Sequence, residues 1–284
     1  MANNEPWDRL DGNAFDFIQV PPRSVKPRER GLTVVADKGL SVRGLEDLIE
    51  VAGEYIDWLK IGIGAPRIWS RDFLRRKIEL CHRSEIRVFF AGDCSEMAFQ
   101  QGVHGRYYGE AKALGADGVE VSSSQVSLPL DDKALLVREA AARGLSVFAE
   151  VGKKGIDNLH LHGGYLRKEI GALMDAGAWK IIIQAEGLAE NVARINETVF
   201  FDVAAAMDIK DVIFQAKDAK ALFWFLTQFG IEVNLDIDVD QVVQVELSRR
   251  GLRRRGLFGL MASVKPGGGD APAAGHSKVG GKVN

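Results

Sequence analysis

Short apolar runs recur along the chain at near-even intervals, and almost every one closes on a charged or amide residue. In order they are Leu32 to Ala36, Ile56 to Ile61, Val88 to Ala91, Val119 to Val121, Val147 to Val151, Ile181 to Ile183, Val212 to Phe214 and Val233 to Leu235. The polar residues that close them include Asp37, Lys60, Asp93, Ser122, Lys154, Gln184, Gln215 and Asn234. Between them, Leu45 to Val51, Phe73 to Leu80, Lys133 to Ala142, Leu166 to Met174 and Ala219 to Phe229 carry the apolar spacing of amphipathic helices. Gly144, Gly177 and Gly230 stand where a helix must turn into the next strand. Short β-branched strands alternating with helices predict a parallel sheet, and eight such units predict a single α/β domain, a (β/α)8 TIM barrel. In that fold the carboxyl ends of the strands carry the active site, so the polar endings predict one catalytic mouth.

Strand alternation sorts which polar residues face the barrel axis. In the fifth strand Phe148, Glu150, Gly152 and Lys154 share one side, and the apolar set Val147, Ala149 and Val151 suits the helix layer. The same count groups Lys180, Ile182, Gln184 and Glu186, then Glu120 with Ser122, Trp58 with Lys60, and Glu232, Asn234 and Asp236. On the first strand it aligns Thr33, Val35 and Asp37. Charges are rarely buried without partners, so this many inward polar groups predict a solvated, functional pocket at one end.

Composition narrows the classes. With 284 residues, 46% hydrophobic content and a formal net charge of -2, the chain can bury one substantial core and has no basic bias towards nucleic acid. The ends read as a segment 1–30 packed on a barrel of residues 31–263 and a disordered tail 264–284 rich in Gly, Pro and Ala. Two cysteines, Cys81 and Cys94, do not make a disulfide framework, and no apolar stretch reaches the roughly 18 residues of a membrane span, so a cytoplasmic location is expected. His160 and His162 lack a third ligand at metal spacing. Trp58 and Trp69 are expected to be exposed and to suit a contact between copies in a homo-oligomer.

Several segments carry a resemblance. RGLTVVADKGL from Arg30, YIDWLKIGIG from Tyr55, EVSSS from Glu120, EVGKK from Glu150, VNLD from Val233 and ELSRRGLR from Glu246 resemble the phosphosulfolactate synthase family, in order, from about residue 30 to 256. The resemblance implies a (β/α)8 lyase that adds sulfite to phosphoenolpyruvate with Mg2+, giving phosphosulfolactate for coenzyme M or sulfolactate synthesis. One motif departs. Where the synthases carry Arg-Glu-Ser-Gly after strand six, this chain reads QAEGLAEN, with Glu186 where their arginine falls. That loop, and SLPLDD from Ser127, look more like the plant heat-stress-associated 32-kDa proteins of the same superfamily. The alternative function is therefore an altered substrate, or lapsed catalysis in a stress-protective or interaction protein.

Adding a nucleophile to C3 of an enol phosphate pushes charge onto the carboxylate at C2, so a cation must stabilise an enediolate-like state and an acid must protonate C2. Lys154 is the expected acid, by its position and by its match to the second lysine of the family motif, with Lys60 and Glu150 as the other catalytic groups. Glu120 and Glu150 are the expected oxygen ligands of Mg2+, with Asp37 and Glu96 as weaker candidates. Asp37, Lys38, Ser122, Gln184, Glu186, Gln215 and Asn234 are expected to line the substrates, with Lys217 near the phosphate.

Overall fold

A computed structural model describes residues 10, 12–18, 20–152, 163–190 and 192–253. Eight parallel strands, β1 (Thr33–Asp37), β2 (Trp58–Ile61), β3 (Arg87–Phe90), β4 (Gly118–Val121), β5 (Ser146–Val151), β6 (Lys180–Ile183), β7 (Val212–Gln215) and β8 (Asn234–Asp238), pair in chain order and close into a barrel. The helices around it are α1 (Val42–Ala52), α2 (Arg71–Arg83), α3 (Gly92–Gln100), α4 (His104–Leu114), α5 (Leu130–Ala141), α6 (Gly163–Asp175), α7 (Glu197–Ala206), α8 (Ala219–Phe229) and α9 (Val242–Arg249). Three of them start on side-chain caps that satisfy otherwise orphaned N–H groups. Ser41 accepts from Gly44 N before α1, Ser70 from Phe73 N before α2, and Asp218 from Ala221 N before α8.

The strands sort their side chains between two cores. Val35, Leu59, Ile61, Val88, Val119, Val147, Ile181 and Leu235 point outward into one continuous apolar layer shared with the helices. Val34, Trp58, Phe89, Phe148, Ile182 and Ile213 form a second core inside the barrel. The aromatic rings dominate that interior. Phe89 and Phe148 stack at 4.0 Å, and Trp58 meets Phe148 edge-on at 4.9 Å and Trp179 at 5.1 Å. These rings fill the barrel beneath the mouth, as bulky inward side chains do in this fold.

The amino-terminal rim is closed by polar contacts. Arg28 pairs with Asp57 at 3.1 Å, and Asp57 also accepts from Thr33 N at 2.8 Å. Arg23 reaches Glu246 of α9 at 3.2 Å, and the same carboxylate takes Arg250 at 2.9 Å. Arg249 is fully buried, donates to the carbonyls of Ile231 and Leu32, and is held well below the usual guanidinium range by burial.

Two expectations about aromatics change. Trp58 is a buried ring of the inner core, and Trp69 is half-buried against Phe73 and the Lys77 ammonium. The reason is phase: Trp58 precedes Lys60 by two on the inward face of β2, so it lies under the mouth. The expected tail 264–284, and residues 1–9, 11 and 19 of the expected segment 1–30, lie outside the described residues. Among the described residues, no helix is long and apolar enough to cross a membrane.

Candidate active site

One layer above the aromatic core, the inward positions turn from apolar to charged. Lys60 on β2, Glu120 on β4, Glu150 on β5, Gln215 on β7 and Asp236 on β8 each follow an inward core residue, or its register partner, by two positions. All five side chains are buried. Lys60 Nζ lies 2.6 Å from Glu120 Oε2 and 3.1 Å from Asp236 Oδ2, with the Phe89 ring centroid 6.0 Å away. Burial alone would pull this ammonium down. Asp236, Glu120 and Glu150 together outweigh burial and hold Lys60 above the usual lysine range. It is therefore a fixed positive charge rather than a proton shuttle.

Its partners are themselves held. Glu120 Oε1 accepts from Gly92 N at 3.2 Å, so the carboxylate sits at the amino end of α3, where the helix dipole favours it. Gly92 has no room for a side chain, because a Cβ there would fall 2.0 Å from Ser122 Oγ and 2.9 Å from Glu120 Oε1. Gln215 Nε2 donates to Glu150 Oε2 at 3.0 Å, and its Oε1 accepts from Ala185 N at 3.4 Å. Lys133 of α5 donates to the Glu150 carbonyl at 2.6 Å and to Glu169 at 2.9 Å, fixing the end of β5 from behind.

The rim above is built from β7, β8 and the loop after β6. Lys217 Nζ pairs with Asp236 Oδ1 and lies 3.6 Å from Asp238 Oδ1, while Lys38 Nζ takes Asp238 Oδ2 at 2.8 Å. Glu190 is buried and accepts from Lys217 N. Burial pushes its carboxyl up, partly offset by Lys217 and reinforced by Asp236 and Asp218.

Several expected site residues belong elsewhere. Asp37 points into the helix layer, since Val34 is the inward residue of β1 and Asp37 is out of phase with it. There its carboxylate pairs with the buried Lys77 and accepts from Gly39 N and Leu40 N at 2.9 and 2.8 Å, anchoring the loop into α1. Asn234 opens β8 at the opposite rim, because that strand runs on to Asp238 through the alternating LDID. Its amide is spent on Leu32 N, Lys210 O and Val212 O at 2.9, 2.7 and 2.8 Å. Glu96 collects Ser122 Oγ, Ser124 N, Gln125 N and Val126 N, which makes it the anchor of the loop after β4. Gln184 accepts from Glu186 N at 3.0 Å, and Glu186 is half-buried on the loop after β6. The buried carboxylate of that loop is Glu190, four residues on.

Lys153, Lys154, His160 and His162 lie outside the described residues. Among the described histidines, His82 pairs with Asp117 at 2.8 Å and His104 with Glu139 at 3.4 Å. Asp236, Asp238 and Glu190 were missed as site residues. Asp236 was counted on the inward face of the eighth strand but given no role, and Asp238 follows by the same alternation once β8 is extended; Glu190 lies on an irregular loop, where no period applies.

The charge balance bears on cations. Among the described residues of the mouth, Glu120, Glu150, Glu190, Asp236 and Asp238 face Lys38, Lys60 and Lys217, an excess of carboxylate. Hard oxygen donors in negative excess fit a divalent cation such as Mg2+. Among the described residues no three acidic, His or Cys side chains converge as a ready-made metal cage. A metal held by one or two carboxylates, completed by water and substrate oxygens, matches this donor set. Of the two expected ligands, Glu120 is engaged by Lys60 and Gly92 N, and Glu150 accepts from Gln215.

Comparison with known proteins bears on the chemistry. The family described as (2R)-phospho-3-sulfolactate synthase (ComA) matches residues 21–255. The phosphosulfolactate synthase of Methanocaldococcus jannaschii is 34% identical over 248 residues, covering 84% of this chain and 96% of that protein. Protein HEAT-STRESS-ASSOCIATED 32 of Arabidopsis thaliana is 25% identical over 259 residues, covering 82% of this chain and 90% of its own. Among solved structures, a truncated 3-deoxy-D-arabino-heptulosonate 7-phosphate synthase from Thermotoga maritima superposes with a TM-score of 0.51 at 12% identity, covering 90% of this chain and 93% of that one; this likeness concerns the fold.

Proposed function

Because the chain belongs to the (2R)-phospho-3-sulfolactate synthase family, we propose that it adds sulfite to C3 of phosphoenolpyruvate and protonates C2, giving phosphosulfolactate. The observation that carries this reading is the ammonium of Lys60, kept charged at the barrel mouth between Glu120 and Asp236. As sulfur attacks C3, electron density moves through C2 onto the substrate carboxylate. A preorganised cation in a water-poor site stabilises that developing charge far better than solvent does. Lys60 supplies it, and the aromatic core beneath keeps the substrate in the upper layer.

The proton for C2 needs a group that titrates near working pH, which excludes Lys60. Lys154 is the proposed donor, by its match to the second lysine of the family motif EVGKK just past β5. Gly152, with φ of +109°, provides the left-handed turn that carries the chain off the strand. Bound Mg2+ would neutralise the enediolate, with Glu150 as the proposed ligand and Glu120 shared with Lys60. Gln184, Gln215 and Ser122 act in this reading by holding Glu186 N, Glu150 and Glu96 rather than by contact with substrate.

A second reading, a stress-protective or interaction role with lapsed or altered chemistry, is favoured by one observation. The described mouth carries more carboxylate than ammonium, which opposes a polyanionic substrate unless Mg2+ or Lys153 and Lys154 complete it. Loss of the enol absorbance of phosphoenolpyruvate, followed with sulfite and Mg2+, separates the two. Turnover by the native chain and its loss in Lys154→Ala are expected; turnover indifferent to that change removes Lys154 as the acid, and none in the native chain favours the second reading.

A further inference from the structure

Asp236 joins two ammonium groups from strands that are not neighbours. It is fully buried on the inward face of β8; Lys60 from β2 sits on Oδ2 at 3.1 Å, and Lys217, just past β7, sits on Oδ1. Each lysine has a further partner on its other side, Glu120 at 2.6 Å for Lys60 and Asp238 at 3.6 Å for Lys217. The backbone of the same residue is fixed too, since Ala216 N donates to the Asp236 carbonyl at 2.8 Å. A lysine head group on its four-carbon stem is mobile, and nothing in the stem sets its direction. A buried carboxylate shared by two such heads sets both, and it sets the gap between them.

We propose that Asp236 is a positioning residue, which holds the ammonium groups of Lys60 and Lys217 apart at the width of one carboxylate so that each meets a different anionic group of one small substrate. The proposal rests on the reading above, in which the substrate, phosphoenolpyruvate, carries a carboxylate and a phosphate. Asp236 bears a negative charge that repels any anion, so a site built only to attract anions would do better without it. Its value lies in geometry. Burial of Asp236 is outweighed by Lys217 and Lys60, which hold its carboxyl below the usual carboxylate range.

Asp236→Asn keeps the shape and removes the shared counterion. By calorimetry on the full chain, phosphoenolpyruvate should bind at least about tenfold more weakly, about 1.4 kcal/mol. Inorganic phosphate, which engages one ammonium at a time, should bind as well as before or more tightly. Asp236→Glu should recover part of the loss. A carboxylate that merely supports the mouth would weaken both ligands on removal, and one that only adds repulsion would tighten both; either result, or no change in either, overturns the proposal. If Asp236→Asn does not fold, Lys217→Met serves, since that side chain is partly exposed; unchanged phosphoenolpyruvate affinity in it is likewise fatal. Failure of the native chain to bind phosphoenolpyruvate sinks the proposal, whereas normal binding without sulfite turnover sinks only the assigned reaction.

Discussion

At the scale of single residues, the mouth depends on charges whose protonation is set by neighbours. Burial pushes the Glu190 carboxyl up, with Lys217 opposing and Asp236 and Asp218 adding to the rise. The sign of its linkage follows. A folded-state value above the unfolded one makes the folded chain the better proton acceptor, so stability declines as pH rises from the ordinary carboxylate range through the raised value. Glu190→Gln keeps an oxygen for Lys217 N and removes the titration. It should raise Tm by about 2 °C or more at pH 7 to 8, and thermal scans at pH 4 should find the gain gone. An equal gain at both values would mean that the carboxylate is not strained by burial.

Elements decide where such residues point, and here the sequence was legible in part. Inward alternation on β2, β4 and β5 was correctly read from Trp58 and Lys60, Glu120 and Ser122, and Phe148 and Glu150, because each strand has one apolar and one mixed face. β1 misled, since TVVAD is apolar on both faces until its last residue and gives no phase. β8 misled in length, because its inward residues are Asn234, Asp236 and Asp238 and a polar run reads as a strand end. Helices α3, α4, α7 and α9 went unread; in the first two, GDCSEMAFQ and HGRYYGEAKAL carry glycines and few aliphatic residues, so their apolar stripe is faint. Yet α3 matters to the site, since its first N–H binds Glu120. Gly92→Ala should therefore push on Ser122 and Glu120 and cost about 1–3 kcal/mol in denaturant unfolding, with activity lost. A folded, fully active Gly92→Ala would show that the start of α3 is not part of the mouth's frame.

On the scale of the whole molecule, the two rims of the barrel divide the work. The carboxyl-end rim holds the charged layer, and the opposite rim is tied by Arg23, Arg28, Asp57 and Glu246. Arg28 and Asp57 are both almost wholly buried, so breaking the pair strands a charge. Arg28→Ala should lower stability by about 3 kcal/mol, measured by urea unfolding, and, for the proposed reaction, leave KM for phosphoenolpyruvate unchanged, because the aromatic core stands between the rims. A shift in KM as large as the shift in stability would mean that the rims communicate.

The packed rings of Trp58, Phe89, Phe148 and Trp179 have one last consequence, for traffic. Among the described residues they plug the cylinder from below, so whatever has reacted in the charged layer must back out along the path by which its precursor came in. Entry and exit then compete, and accumulated product should behave as a rival for that path, slowing the enzyme in a manner that more substrate relieves.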